Sequence, residues 1–226
     1  MKNGLGKRIF IDISQGFLAG AMITIGCCVY LACDVKWVGA ILFSVALLSI
    51  CYLGFSLFTG KVGFILDNAN PEGFSQLFFG LLGNAIATTV LGIAIGYALP
   101  NFNQTAFDLV LPKLDQALWQ TLIRAIFCGI LMYIAVAIYK DKKSPLGIVF
   151  CIPTFILCGF EHSIADMGYF AIAHHYSATA FGFIWMVILG NSIGALLFPS
   201  IKKLCDYKKA PKEVIEKEIE KEENSK

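Results

Sequence analysis

Charge is scarce in this chain: Asp, Glu, Lys and Arg make up 15% of its 226 residues, against about a quarter in an ordinary soluble domain. With 57% hydrophobic residues and a mean hydropathy of +0.70, it is excluded from the soluble globular class and reads as an integral membrane protein. No CxxC pair occurs among the eight cysteines. They fall mostly inside apolar runs and read as small buried hydrophobes, not as a metal or disulfide framework. Also missing are an HExxH pair, a phosphate-binding glycine loop, a cofactor fingerprint and a nucleophile–base set. An enzyme, a metal, a cofactor and nucleic acid are therefore not expected.

What the chain has instead is apolar length. Six stretches, at about 12–33, 37–60, 74–99, 117–139, 146–173 and 178–201, are each long enough to cross a hydrocarbon core of ~30 Å as a helix. The first is long and others follow it, so it reads as a retained span and not a signal peptide. The second ends Leu57-Phe58-Thr59-Gly60-Lys61-Val62-Gly63, and the fifth carries Pro145, Pro153 and Gly159. Both read as interrupted helices, the breaks falling near Leu57–Gly60 and Gly159–Ser163.

Basic residues set the orientation. Lys2, Lys7, Arg8, Lys61, Lys140, Lys142, Lys143, Lys202 and Lys203 fall on one side, with only Lys36 and Lys113 on the other. Both termini are thus expected in the cytoplasm, the 100–116 connection outside, and the multi-pass protein in the lipid of the cell's inner (plasma) membrane. Residues 1–201 form the transmembrane part and 202–226 a charged cytoplasmic tail, in which Glu213 and Lys217 stand i,i+4 on a solvated helix.

Leu82-Gly83-Asn84-Ala85-Ile86-Ala87 is echoed by Leu189-Gly190-Asn191-Ser192-Ile193-Gly194. With the matching breaks in the second and fifth stretches, this divides the chain into two three-span halves. An odd number of spans per half inverts the second, an arrangement that puts a solute site near the midplane between two broken helices.

The chemistry concentrates at Glu161 and His162, side by side inside the fifth apolar stretch. Ionisable groups at mid-membrane cost about 2.5–3.5 kcal/mol each on insertion scales, so they are read as functional unless something argues otherwise. The surrounding run Gly159-Phe160-Glu161-His162-Ser163-Ile164-Ala165-Asp166-Met167 resembles the fifth-helix signature of the formate/nitrite transporter family. Leu57-Phe58-Thr59 is similar to that family's second-helix loop. Arg124-Ala125-Ile126-Phe127-Cys128 with Ile134-Ala135-Val136 is similar to its fourth helix, and Leu189 to Gly194 to its sixth. The resemblance runs from about Gly16 to Pro199.

The resemblance implies an all-α membrane protein of six transmembrane helices in two inverted three-helix repeats. Helices two and five are interrupted, and the aquaporin-like protomer assembles into a homopentamer with a pore in each subunit. Members pass small monovalent anions of weak acids, so the implied partners are such an anion and a proton. Carried over by position, His162 is similar to the central pore histidine, Thr59 to the hydroxyl facing it, and Asn191 to its sixth-helix neighbour, so the three are implied to supply the midplane polar contacts to the solute. Phe43, Leu47, Leu57, Phe58, Phe155 and Met132 match apolar constrictions, and Lys113 the outer-vestibule lysine. One departure stands out: Gly129 occupies the place of a fourth-helix Asn, which implies a missing pore amide.

A bare anion cannot cheaply enter an apolar neck, whereas the protonated acid can. A positive vestibule at Lys113, apolar rings and a midplane group that manages protonation therefore form a coherent device. His162 has a reference pKa near 6.5. Whether it donates the proton or only steers the anion stays open at the level of sequence.

Bland readings accompany each residue. Glu161 is read as structural, capping freed amides at the break or pairing with Arg124 or a neighbouring protomer. Asn84 ties helices together. His174 and His175 sit in a solvated turn with no further metal-ligand spacing. Among weak acids, hydrosulfide or formate ranks first, nitrite next and lactate last. The alternative is a neutral small-solute facilitator, although twin Asn-Pro-Ala signatures are missing; a membrane enzyme or a scaffold comes last.

Overall fold

The computed structural model describes residues 2–67 and 69–207 of the chain. They form α1 (Lys2–Ala32), α2 (Lys36–Leu53), α3 (Phe58–Lys61) running into a 3₁₀ turn (Val62–Asp67), α4 (Pro71–Ala98) and α5 (Pro100–Leu114). The chain continues through α6 (Leu118–Lys142), α7 (Leu146–Leu157), α8 (Ser163–Ile172) and α9 (Ala178–Tyr207). Parts of α1 and α9, with α2, α4 and α6, are five helices long and apolar enough to cross a membrane. The expected fifth stretch is split into α7 and α8. Large apolar side chains such as Phe10, Tyr97, Phe150 and Phe181 face outward, the reverse of a soluble surface and the condition for a lipid or subunit contact.

Both interruptions are present, the first slightly earlier than expected. The α2 helix stops at Leu53 because Gly54 turns left-handed at φ 76° and its N–H closes on Ile50 O, a conformation that costs glycine little. The chain is then extended through 55–57, while Thr59 and Gly60 already belong to α3. In the fifth stretch Gly159 takes φ 68°, and α8 restarts at Ser163.

The 100–116 connection is no simple loop. Pro100 sits at the first position of α5, where its missing N–H is no loss. Ala106 and Val110 bury the i,i+4 face of α5, and Asn103 Nδ2 donates to Ile172 O at 2.8 Å. This helix carries Lys113 on its last turn. The expected turn at His174 and His175 is likewise packed: His174 Nε2 meets Ile93 O at 3.1 Å and its ring lies against Tyr97, while His175 contacts Phe107.

Two helix pairs repeat one contact. A Cβ at Gly20 on α1 would stand 2.6 Å from Asn84 O on α4, and a Cβ at Gly129 on α6 would collide with Asn191 O on α9. Only glycine admits so close a backbone approach. The implied missing pore amide is thereby corrected: position 129 faces α9, and a larger side chain there would push the two helices apart. At the C-terminus α9 runs across position 201 to Tyr207. The tail helix expected around Glu213 and Lys217 lies outside the described residues.

Candidate functional site

Each break strands backbone groups that a low-dielectric surrounding cannot hydrate, at several kcal/mol per group. One asparagine repairs each break. Asn84 accepts from Phe58 N at 2.9 Å and donates through Nδ2 to Ser56 O at 2.9 Å and Gly16 O at 2.7 Å. Asn191 accepts from Ser163 N at 2.9 Å and donates to Glu161 O at 2.8 Å and Ala125 O at 2.9 Å. In both cases the amide binds the first N–H of the short helix, a carbonyl of the break and a carbonyl of a neighbouring long helix. Asn84 thereby ties α4 to α1 and to the first break. Asn191 differs from its expected solute contact: both of its N–H groups are committed to carbonyls and its side chain is fully buried.

The breaks bring Thr59 and His162 together. Thr59 Oγ1 and His162 Nε2 are 2.8 Å apart, although 103 positions separate them. His162 is the N-cap of α8, its Nδ1 accepting from Ala165 N at 3.1 Å. A backbone N–H can only donate, so Nδ1 carries no hydrogen and the neutral ring has its proton on Nε2, directed at the threonine oxygen. An imidazolium would lose this cap and would face the positive end of α8. Phe155 stacks on the imidazole, the ring centroids 5.6 Å apart and the planes 16° from parallel.

Two cavities lie near this pair, and His162 lines the smaller of them. One, of about 340 Å³, is lined by Phe43, Phe155, Lys113, Glu161, His162 and Asp166 among others. The other, of about 540 Å³, is lined by Leu47, Leu57, Gly60, Lys61, Val136 and Lys140 among others. Phe43 and Leu47, one turn apart on α2, thus belong to different cavities. Phe58, Thr59 and Met132 line neither and are buried.

The smaller cavity is not simply positive. Lys113 Nζ is paired with Glu161 Oε2 and lies 3.1 Å from Asp166 Oδ1, and Gln116 Nε2 donates to Glu161 Oε1 at 3.3 Å. Its ammonium therefore meets two buried carboxylates, which corrects the expectation of a free charge that gathers anions. Glu161 is held in an ion pair with Lys113, a partner the sequence reading did not name. It neither caps the break, a role His162 takes, nor pairs with Arg124. Among the described residues Arg124 has no ion pair and lines the same cavity. Sequence reasoning missed the part played by Asp166, although its place in the motif four residues after His162 puts the two one helical turn apart.

A multi-pass helical bundle with two broken helices, a buried imidazole–hydroxyl pair and a cavity that reaches the imidazole fits a membrane channel or transporter. The model of the formate/nitrite transporter family matches residues 5–203, and the chain belongs to that family. It is 27% identical over 177 residues to the nitrite transporter NirC of Salmonella typhimurium, covering 69% of this chain and 65% of that one. It is 28% identical over 247 residues to a probable formate transporter of Methanothermobacter thermautotrophicus, covering 87% of each. Among solved structures, an FNT family ion channel superposes with TM-score 0.72 at 22% identity, covering 93% of this chain and 92% of that one. A pentameric formate channel with formate bound gives 0.71 at 21% identity, covering 89% and 98%.

Proposed function

We propose that this chain is a passive or proton-coupled channel for a small monovalent weak-acid anion of the size of formate, nitrite or hydrosulfide. The spans form two inverted three-span halves, and five protomers assemble with a separate pore in each. The observation that carries this reading is the Thr59–His162 pair, buried beside a cavity lined by Lys113, Glu161 and Asp166, with a second cavity lined by the α2 and α3 neighbours Leu47, Leu57 and Gly60. The anion enters the smaller cavity, takes a proton, passes as the neutral acid between Phe43 and Phe155 on one side and Leu47 and Leu57 on the other, and ionises again in the larger cavity. A charged solute crossing the same path would shed its water without compensation.

His162 steers the anion through Nε2–H, with Thr59 relaying the contact, and its own proton need not leave. Gly129 gives no ground for ranking the candidate acids, because it faces α9 and not the pore. The test is uptake of formate, nitrite, hydrosulfide, acetate and lactate into proteoliposomes at two pH values, beside glycerol and urea. Uptake of the anions that quickens as the outside is acidified supports the proposal. Uptake of the neutral solutes alone would replace it with the facilitator reading.

A further inference from the structure

The smaller cavity holds more carboxylate than its cation balances. Lys113 on α5 faces Glu161 from the loop and Asp166 from α8; both carboxylates are 2% exposed, and Asp166 Oδ2 is buried without a partner among the described residues. The other titratable groups lining this cavity are His162 at the start of α8, Asp108 on α5, Arg124 on α6, and Tyr30 and Tyr169, with Cys27 of α1 behind them donating its thiol to Ala165 O. Of these only Arg124 adds positive charge, and it is not bonded to either carboxylate. Two ionised carboxylates beside one ammonium would bury a net negative charge, and neighbouring carboxylates resolve that conflict by holding one proton between them.

Building on the channel reading, we propose that Asp166, together with Glu161, stores this proton and is the acid that protonates the permeant anion. In the step, a carboxyl O–H bond breaks and an O–H bond to the anion forms. The neutral acid moves past His162, and the carboxylate left behind takes a proton from water in the cavity. Lys113 keeps the two carboxylates together and limits the negative charge that would otherwise turn the anion away.

Uptake of formate into proteoliposomes, followed against outside pH, tests this with wild type, Asp166→Asn and Asp166→Glu. Asparagine keeps the shape and leaves a neutral Lys113–Glu161 pair with no proton to give. Its rate should fall about a hundredfold at alkaline pH, the scale of a lost general acid, with a deficit that shrinks as bulk acid supplies the proton. Glutamate should restore much of the rate. A deficit equal at every pH, or none at all, overturns the proposal. A second measurement holds even if the variants do not assemble. Infrared spectra of the wild-type protein at neutral pH should contain a protonated-carboxyl band that survives in Asp12→Asn; no band, or one lost with Asp12, refutes the stored proton. A wild-type protein that moves no weak-acid anion would instead refute the channel reading, leaving the infrared result to judge the proton store.

Discussion

At His162 the two ring nitrogens have different tasks: Nδ1 holds the start of α8, and Nε2 meets Thr59. Replacing the ring by phenylalanine removes one N-cap, a loss of about 1 kcal/mol, so the protein should still assemble. Its anion uptake should fall to the background of empty liposomes. Full uptake by well-assembled His162→Phe would remove the imidazole from the mechanism. Lys113 behaves differently because its charge is already matched. Lys113→Ala leaves buried carboxylates without their cation, which should destabilise the protein by about 3–5 kcal/mol, and adding Asp166→Asn should recover part of it. Thermal unfolding in detergent measures both. Salt should change wild-type apparent affinity through Arg124, which has no ion pair among the described residues, and Arg124→Gln should flatten that dependence.

The interrupted helices depend on their asparagines more than on their own length. The α3 helix has four residues and α8 has ten, too short to persist alone. Asn84→Asp and Asn191→Asp each remove two donors and point a carboxylate at two carbonyls. Each should lower the melting temperature strongly and by similar amounts, since the bonds lost are the same in kind. A large difference between the two variants would show that the breaks are not held alike. Gly129→Asn should impair assembly instead of supplying a pore amide, and size-exclusion profiles of the two proteins will show which outcome holds.

The elements themselves were legible in part. Gly159 announces the second break and the Leu-Gly-Asn echo marks the ties, because glycine and a buried amide are local signals; Gly54, which ends α2 ahead of the expected break, was not singled out. The α5 helix was missed between two spans, where polar residues such as Asn101, Asn103 and Gln104 hide the short buried face of Ala106 and Val110. Hydrogen-bond saturation is a tertiary property, and a motif cannot say which atoms an amide has already spent. That is why Asn191 looked like a solute contact and Gly129 like a gap.

At the scale of the whole molecule, the outward apolar faces of α1, α4, α6 and α9 leave room for lipid and for neighbouring protomers. Native mass measurement in detergent should give five chains, and a stable monomer or tetramer would contradict the pentamer. A variant keeping Cys205 as its single cysteine should react with an impermeant maleimide only after the membrane is opened; ready labelling from outside would reverse the orientation. The smaller cavity was the least legible part of the molecule. Its charge balance joins α5, the fifth-stretch loop and α8, and Lys113 stands 48 positions from Glu161.

The twin amide ties also bear on how such a pore is shut off. Each short helix is moored through its first N–H and the preceding turn to helices that run the width of the bundle, so neither has slack to tilt or slide as a valve. Phe43, Leu47 and Phe155 are themselves buried, so movement there is limited to rotamer changes, which are too fast to keep a passage closed. On the channel reading, lasting closure is then expected from something seated in a cavity mouth. Cross-linking α8 to α9 should leave conduction unchanged, whereas it would stop a channel that worked by moving its half-helices.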